Sequence, residues 1–332
     1  MNMPKAFDVP VLILGFNRPD LTLRVINSLR EIGAKKIYFS VDGPRTNNEN
    51  DYIEVEKVRA LSVLIDWECD LHLRFSNENL GLMVAISSGI NWFFTAEEEG
   101  IILEDDCLPT KDFFEFTERM LSKYRDNPEV MHISGSPYFS KKPNYIYNHF
   151  FSTLTSVWGW ATWRSSWEKF DLEMRNINSG TNQDRFLQYF GSQKIASWFL
   201  RYYLEAKNPK SKVWATQWAY SLIQNNAYAV VPVVALVHYI GSDFRATHGI
   251  WKSLAPYDSY PVESMPFLPD PPNISVSDSL VRNQFDFIRM TDPNLQVGRR
   301  LRLVLIRISI RILPSPLRVF LKEKILKNGI LN

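Results

Sequence analysis

The sequence predicts an α/β protein with a mostly parallel sheet and helices on both of its faces. Short apolar runs alternate with helical patterns through the first 135 residues, and this alternation is typical of doubly wound sheets. The 332 residues are 45% hydrophobic and 14% aromatic, which excludes global disorder and gives enough apolar surface for one large domain or two small ones.

The predicted elements follow one another in strand-helix order. A helix that begins at Pro19 and ends before Gly33 has proline and glycine at their usual places, just inside its start and just past its end. The predicted strands are residues 9–15, 36–41, 70–75, 100–103 and 130–134, and the predicted helices are residues 19–32, 51–66, 80–96 and 111–126. Sheets of this kind bind ligands beyond the carboxyl ends of their strands, so polar residues at those ends are candidates for a site.

The second half of the chain is rich in aromatic residues. Trp160, Trp163 and Trp167 are spaced at i, i+3 and i+7, which predicts one buried face of a helix. Trp158 and Gly159 precede that predicted helix and are better placed for a pocket wall, since an indole packs well on the apolar face of a sugar ring. Residues 251–275 are predicted to be a Pro-rich linker or arm. Residues 276–332 are predicted to be a basic amphipathic C-terminal region that forms a helical appendix.

Charge is divided unevenly along the chain. Residues 299–332 hold nine Lys and Arg residues against one Glu, whereas the remainder holds 29 bases and 35 acids. The acidic body argues against a general nucleic-acid-binding surface, and the basic tail indicates a local anionic partner. Two alternatives remain for the tail: an interfacial segment on an anionic membrane surface, or a helical hairpin packed on the domain with its charges solvated.

Cysteine usage and hydropathy predict the compartment. Two cysteines, Cys69 and Cys107, without a CxxC motif give no support to a disulfide framework or a zinc site. The first ten residues lack an apolar signal segment, and no run of 18 uncharged apolar residues is present. We therefore expect a cytoplasmic protein, located peripherally on the inner face of the cell membrane if the tail is interfacial.

Three consecutive carboxylates follow the predicted strand 100–103, namely Glu104, Asp105 and Asp106. Adjacent like charges beside a buried strand repel one another and lose hydration unless a cation offsets them. A hard divalent ion shared with a diphosphate suits such an oxygen-only set, and it would stabilise the diphosphate as it leaves. The alternative is a solvated turn before the helix that follows Pro109. The position of the three carboxylates at the carboxyl end of a strand favours a ligand site over a solvated turn.

Two further sets of residues are weaker candidates. Arg18 follows the first strand and Asp42 the second, so that Arg18 is placed to hold phosphate and Asp42 to accept hydrogen bonds from a base or ribose. Ordinary turn chemistry explains Asp42-Gly43 equally well. His248 is a candidate for the metal shell or a phosphate contact, or else a structural histidine.

Taken together in their order along the chain, these motifs resemble bacterial glycosyltransferases of the GT-A class related to the animal N-acetylglucosaminyltransferase I family. The resemblance covers about residues 8–250 and is most specific in Glu-Asp-Asp at 104–106 and Trp-Gly-Trp-Ala-Thr-Trp at 158–163. It implies a catalytic domain over residues 1–250, with a nucleotide-binding half at 1–135 and an acceptor half at 136–250. A nucleotidyltransferase is a weaker interpretation, because no Gly-rich phosphate loop occurs near the N-terminus.

The resemblance also implies an activity. The reaction would be an inverting, Mn²⁺- or Mg²⁺-dependent transfer of a hexose or N-acetylhexosamine from a UDP-sugar. The acceptor would be a glycan or a lipid-linked glycan in bacterial surface polysaccharide synthesis, such as O-antigen or capsule. Carried over by position, Arg18 and Asp42 would hold the uridine nucleotide, and Glu104 and Asp105 would contact uridine, ribose or the donor sugar. The direct metal ligand would be Asp106, with Asp105 as a second.

The pocket residues follow from the same resemblance. Trp158, Gly159 and Trp160 would line the donor and acceptor pocket, and His248 would lie near the diphosphate. One position departs from the family, because the carboxylate that deprotonates the acceptor aligns with Ala215. Losing a positioned general base typically lowers the rate about 10²–10⁴-fold. Three explanations stay open: Asp243 or Glu205 serves as the base, the chain binds nucleotide sugars without turnover, or the alanine replaces an aspartate by engineering.

Overall fold

The chain folds around an eight-stranded sheet and has a separate two-stranded sheet. The computed structural model describes residues 7–178, 182–207, 214–242, 257 and 259–291. The strands are β1 Val11–Gly15, β2 Lys36–Val41, β3 Asp70–Phe75, β4 Glu99–Glu104, β5 Cys107–Pro109, β6 Val130–Ser134, β7 His149–Ser152, β8 Trp160–Trp163, β9 Tyr228–Pro232 and β10 Val237–Tyr239. The helices are α1 Pro19–Ile32, α2 Glu49–Ala60, α3 Leu82–Ala96, α4 Lys111–Tyr124, α5 Arg164–Trp167, α6 Gln183–Phe190, α7 Gln193–Ala206, α8 Ala215–Gln224 and α9 Asp278–Thr291, with a 3₁₀ turn at Leu61–Leu64.

The large sheet has the strand order β3-β2-β1-β4-β8-β6-β9-β7. Strands β3, β2, β1 and β4 are parallel neighbours, and β6 is parallel to β9. Strands β8 and β7 run against their neighbours. Six of the eight strands therefore point the same way, and the predicted mostly parallel α/β sheet is confirmed.

Helices cover both faces of this sheet because the side chains of a strand alternate between its faces. On β1, Val11 and Ile13 lie in one core cluster with residues of α1, α2 and α4. Leu12 and Leu14 lie in a second cluster with residues of α3 and α8. A strand buried on both faces reads as a continuous apolar run, as the sequence of β1 does.

Local sequence signals explain where several elements begin and end. Helix α1 has Pro19 in its first turn and Gly33 after its last, where the backbone is left-handed with φ of 64°; glycine adopts this conformation without steric cost. The predicted helix 51–66 is shorter than expected, because α2 ends at Ala60 and continues as the 3₁₀ turn.

The helix predicted from the tryptophan spacing is wrong. Trp160 and Trp163 lie on β8, which is antiparallel to both β4 and β6, and Trp167 lies on the short helix α5. All four residues of β8 are buried, so both faces of the strand carry apolar side chains and the strand period of two is hidden. The three indoles are nevertheless buried, at 0%, 3% and 4% exposure.

Residues 259–291 pack along the body of the protein. Asp270 accepts hydrogen bonds from Arg119 and Lys123 of α4, at 2.5 and 2.6 Å, and from the Asn148 side chain at 2.7 Å. Helix α9 then buries Val281 and Phe285 against α6, α7 and α8. Residues 292–332, which include the predicted basic tail, lie outside the described residues. Within the described ranges, no helix has both the length and the hydropathy needed to cross a membrane.

Candidate functional site

The acidic triplet lies where the central strand β4 ends. Glu104 is the last residue of β4, and Asp105 and Asp106 form the turn into β5. The backbone N–H of Asp105 donates to the Leu14 carbonyl of β1 at 3.0 Å, which fixes the turn against the neighbouring strand. Both aspartates are buried, and Glu104 is half-buried.

Arg18 faces both aspartates from the loop between β1 and α1. Its guanidinium forms an ion pair with Asp105 and donates to Oδ2 of Asp106 at 2.9 Å. Burial lowers the pKa of Arg18, but the charges of Asp105 and Asp106 outweigh this and leave the pKa above its ordinary value. The structure thus brings together three of the predicted site residues, from two separate loops.

The triplet carries more negative charge than Arg18 offsets. Burial raises the pKa of the Glu104 carboxyl, and the charges of Asp106 and Asp105 raise it further. Burial also raises the pKa of Asp105, which Arg18 counteracts only in part. A bound cation would relieve this repulsion because it favours the charged form of each carboxylate.

Gly241, two residues after β10, lies directly against Asp106. The backbone N–H of Ile240 donates to the Asp106 carbonyl at 2.9 Å. A Cβ atom added at Gly241 would lie 2.8 Å from the Asp106 Cβ and 2.9 Å from its Cγ, a separation that real Cβ atoms do not show. Position 241 therefore has to be glycine for Asp106 to hold this conformation.

Trp158 and Gly159 form the neighbouring wall. Ile102 of β4 pairs with Trp160 of β8, so the residues just before β8 lie beside the end of β4. The Gly159 carbonyl accepts from the Gly135 N–H at 2.9 Å. The Trp158 ring lies 5.3 Å from the ring of Tyr239 on β10. The predicted pocket residues Trp158 and Gly159 are thus next to the acidic triplet.

Trp160 lies in a different environment from Trp158 and Gly159. It is fully buried and packs against Trp167, Trp214 and Trp218 with ring centroids 5.5–6.2 Å apart. It also stacks on His132 at 5.0 Å. The structure places Trp160 in the core beneath the candidate site.

Asp42 is engaged by the protein's own donors. Its carboxylate accepts hydrogen bonds from the backbone N–H groups of Gly43, Leu80 and Gly81 and from the Asn79 side chain, at 2.8–3.2 Å. These bonds hold the loop before α3 against the end of β2. Four donors occupy most of the acceptor capacity of a carboxylate, so a contact between Asp42 and a nucleotide would have to compete with them.

Of the positions considered for a general base, the described residues include Ala215 and Glu205. Ala215 is the first residue of α8 and packs in the cluster that contains Trp160 and Trp218. The first turn of α8 contains no acidic residue. Glu205 is exposed near the end of α7, a helix that packs mainly on α6 and α8. Asp243 and His248 lie outside the described residues.

One further polar cluster, not predicted from the sequence, lies at the same edge of the sheet. Asp51 of α2 is 1% exposed and accepts from the Asn17 side chain at 2.8 Å and from Arg45 Nη2 at 2.9 Å. The hydrogen bond from Arg45 is the main cause of the lowered pKa of Asp51. An aspartate in the first turn of a helix resembles a routine helix-start residue, so the sequence carried no signal of its burial.

The carboxylates fit a metal ion that is shared with a phosphate ligand. Among the described residues, no group of three or more His, Cys, Asp or Glu side chains is arranged to hold a metal. Mg²⁺ usually binds through one or two carboxylates together with substrate phosphates, and Mn²⁺ suits the same oxygen ligands. Asp105 and Asp106 converge on Arg18 and satisfy that arrangement, but not an all-protein metal cage.

Comparison with known proteins gives weak likenesses. No protein-family model and no curated protein matches the chain. Among solved structures, it is similar to the mannosyltransferase PcManGT from Pyrobaculum calidifontis in complex with GDP-Man and Mn²⁺, with 10% identity, 67% of this chain and 72% of that chain covered, and a TM-score of 0.34. It is also similar to apo UDP-glucose pyrophosphorylase, with 11% identity, 68% and 90% covered, and a TM-score of 0.34. Mouse xyloside xylosyltransferase 1 in its apo form gives 11% identity, 68% and 84% covered, and a TM-score of 0.32.

These superpositions are too partial to support an argument about activity. None of the three structures is described as an N-acetylglucosaminyltransferase I, and the resemblance to that family stays a prediction. The function of this chain therefore has to be argued from its own residues.

Proposed function

We propose that the chain is a metal-dependent glycosyltransferase that transfers a sugar from a UDP-sugar to a glycan acceptor. The observation that carries the proposal is the buried pair Asp105 and Asp106 at the carboxyl end of β4, held by Arg18 beside the aromatic wall of Trp158. A site that pairs carboxylates with a guanidinium suits a metal-bound diphosphate, and an indole wall suits a sugar.

In this proposal Asp106, assisted by Asp105, would hold Mn²⁺ or Mg²⁺. When bound, the ion supplies charge stabilisation for the departing diphosphate. Arg18 is ion-paired with both carboxylates, and guanidinium N–H donors also suit phosphate oxygens. Glu104, which is half-buried, would contact ribose or the donor sugar.

The finer parts of the proposal concern the reaction and its setting. The expected transfer is inverting, moves a hexose or N-acetylhexosamine, and serves bacterial surface polysaccharide synthesis, with a lipid-linked acceptor at a membrane. An inverting displacement needs a base for the acceptor hydroxyl. With alanine at 215 and Glu205 exposed on α7, Asp243 is the candidate that we retain.

Calorimetry of UDP binding tests the donor site. We expect UDP to bind wild-type protein in the presence of Mn²⁺, and Asp106→Asn to lower this affinity at least tenfold because one carboxylate ligand of the ion is lost. Asp126→Asn, which changes an exposed aspartate after α4, is the matched control and should bind UDP like the wild type. Failure of wild-type protein to bind UDP with Mn²⁺ or Mg²⁺ would rule the proposal out.

The second candidate function is nucleotide-sugar binding without catalysis. It is favoured by the absence of an acidic residue in the first turn of α8, where the family resemblance expects the base. Release of UDP is measured for wild-type protein and Ala215→Asp over a panel of UDP-sugars with Mn²⁺. Release by the wild type supports the enzyme, whereas release by Ala215→Asp alone supports a binding protein that lacks its base.

A further inference from the structure

Strand β3 is an open edge of the large sheet. It pairs with β2, in parallel, and no other strand or isolated bridge among the described residues lies beside it. The opposite edge differs, because Phe151 of β7 forms a bridge with Val276 just ahead of α9. None of the six residues of β3 is buried. An open edge presents unpaired N–H and C=O groups to any strand that can align with it.

The hydrogen bonds to β2 show which residues of β3 face the open edge. The Asp70 N–H donates to the Lys35 carbonyl at 2.7 Å, and the register with β2 is regular along the whole strand. The backbone groups of successive residues in a strand point to opposite sides. The even-numbered residues therefore bond to β2, and the N–H and C=O groups of Leu71, Leu73 and Phe75 face outward.

The side chains of β3 divide into an apolar face and a polar face. Leu71 and Phe75 pack against the core cluster that contains α1 and α2. Leu73 lies between them on the same face and is 46% exposed. The other face carries the polar residues Asp70, His72 and Arg74. A strand that pairs with β3 would thus meet an apolar row and a charged row.

Strand β3 is complementary to itself in antiparallel pairing about a twofold axis at His72. Leu71 then lies opposite Leu73 of a second copy, and because both present outward backbone groups they exchange two hydrogen bonds. Asp70 lies opposite Arg74 of the second copy. This is a pair without backbone hydrogen bonds, in which side chains approach closely and opposite charges stabilise the sheet.

Other registers fit less well. An axis between two residues would place outward-facing residues opposite inward-facing ones, which removes the hydrogen bonds and exchanges the two faces. An axis at Leu73 would place His72 opposite Arg74 and leave Asp70 without an opposite charge. An axis at Leu71 would pair only residues 70–72 within the strand. The directions of the backbone groups and the charges therefore agree on the axis at His72.

Both members of the charged pair are accessible. The Asp70 side chain is 59% exposed. Arg74 is half-buried and donates to the hydroxyls of Ser40 and Ser88, each at 3.0 Å. These two bonds hold the guanidinium in place and use two of its five N–H donors, so its geometry suits a further carboxylate.

Exposed apolar side chains precede β3 on its apolar side. Val63 is 78% exposed and Leu64 is 43% exposed, both on the 3₁₀ turn after α2. Leu61 and Ile65, on either side of them in the chain, belong to the same cluster as Leu71. Stable interfaces bury about 1,200–2,000 Å² in total, more than two paired strands supply, and this apolar surface adds to the area.

We propose that two copies of this chain pair through β3, in antiparallel orientation about a twofold axis at His72, and so join their large sheets into one. Twofold dimers are the commonest closed assemblies. The axis is perpendicular to the sheet, so the carboxyl ends of the strands in the two copies point in opposite directions. The proposal does not depend on the glycosyltransferase function, because two strands separate β3 from β4 and its acidic triplet.

Sedimentation velocity of the full-length protein over a concentration series tests the pairing. We expect the wild type to form a dimer of the 38.7 kDa chain. Asp70→Arg places like charges opposite each other at both ends of the paired strands, and it should raise the dimer Kd at least about tenfold. Combining Asp70→Arg with Arg74→Asp restores opposite charges and should return the Kd to within about threefold of the wild type.

Two further measurements separate this pairing from misfolding and from other interfaces. Asp126→Arg makes the same charge change at an exposed site after α4 and should leave the Kd unchanged. Hydrogen exchange by mass spectrometry should show the 70–75 segment more protected at concentrations above the Kd than below it, because the outward N–H groups gain partners.

Three results would overturn the proposal. The first is a wild type that stays monomeric up to its solubility limit, which would leave the edge to an extended segment of another protein. The second is a dimer that forms without added protection at residues 70–75, which would place the interface elsewhere. The third is a charge-swapped double variant that has the circular dichroism of the wild type but dimerises no better than Asp70→Arg.

Discussion

At the residue scale, the fully buried His132 shows how burial fixes a protonation state. Nδ1 of His132 accepts the Trp218 indole N–H, so its proton is on Nε2, which faces the Ser156 carbonyl. A second proton, placed on Nδ1, would point at the Trp218 N–H, which is itself a donor. Burial lowers the pKa of His132 to about 3, against about 6.5 in an unfolded chain.

This lowered pKa predicts how stability depends on pH. Between about pH 6.5 and 3 the unfolded chain binds a proton at His132 that the folded chain does not bind, so the free energy of unfolding falls as the pH falls, by up to about 1.4 kcal/mol per pH unit. In His132→Gln this contribution disappears, and the pH dependence in that window should be less steep. Urea unfolding at several pH values measures the difference.

A control separates titration from simple destabilisation. Leu222→Val alters the core cluster that contains Trp218 but changes no titratable group. It should keep the wild-type slope of the free energy of unfolding against pH. His149, whose pKa burial also lowers to about 3, remains in both variants and contributes equally to each profile. Superimposable slopes for wild type and His132→Gln would contradict the prediction.

The acidic triplet could be found from sequence because its signal is local: three consecutive carboxylates follow an apolar run that ends at Leu103. The partners that give it its properties could not be found in that way. Arg18 was identified as a phosphate ligand, but its pairing with Asp105 and Asp106 depends on β1 and β4 being neighbours.

At the scale of elements, one threonine joins the helix α4 to the two-stranded sheet of the site. The Thr110 hydroxyl accepts from the Phe113 N–H at 3.3 Å, which caps α4, and donates to the Leu236 carbonyl just before β10 at 2.9 Å. The same carbonyl accepts from the Thr110 backbone N–H at 2.9 Å. The start of α4 and the strand beside Asp106 are thus held by the same side chain.

We predict that Thr110→Ala lowers the free energy of unfolding by about 1–2 kcal/mol, since removing a helix N-cap side chain costs this much. Thr110→Ser keeps the hydroxyl and should stay within about 0.5 kcal/mol of the wild type. Chemical denaturation of both variants measures the difference. Equal loss in the two would show that the methyl group, not the hydroxyl, matters at this position.

Elements with one buried face were predicted correctly, and β8 was not. Helices α1 and α4 bury one side each, so their apolar residues recur with the helical period. Strand β8 lies between β4 and β6, and its sequence Trp-Ala-Thr-Trp carries apolar or small side chains on both faces. The spacing of Trp160 and Trp163 matches that of a helix by coincidence. Only the position of the segment between β4 and β6 distinguishes a strand from a helix here.

At the scale of the whole molecule, α9 completes a core that begins about 130 residues earlier in the chain. Phe285 is 2% exposed and packs against the rings of Trp198 and Phe199, at 5.5 and 5.9 Å. Other residues of α9, Gln284 and Asn283, bond to the Pro137 carbonyl and to Ser140. The helix therefore supports both the α6–α7 pair and the loop after β6.

Phe285→Ala is expected to lower the free energy of unfolding by about 3–5 kcal/mol, because a buried phenyl ring is replaced by a void. Phe267→Ala is the matched control, since Phe267 is 108% exposed, and its effect should be below about 0.5 kcal/mol. Thermal and urea unfolding report both. Similar stability of the two variants would mean that α9 is not part of the cooperative core.

The pairing of β5 with β10 has a consequence for how the molecule forms. Thr110 and the Leu236 carbonyl that it holds are 126 positions apart, and Gly241, which abuts Asp106, comes later still. Contacts between such distant segments form slowly, because the entropy cost of closing a long loop must be met before the contacts contribute any stabilisation. On the ribosome, the carboxylates at 104–106 emerge long before the strand that covers them, so the candidate site around them is expected to be among the last parts of the protein to mature.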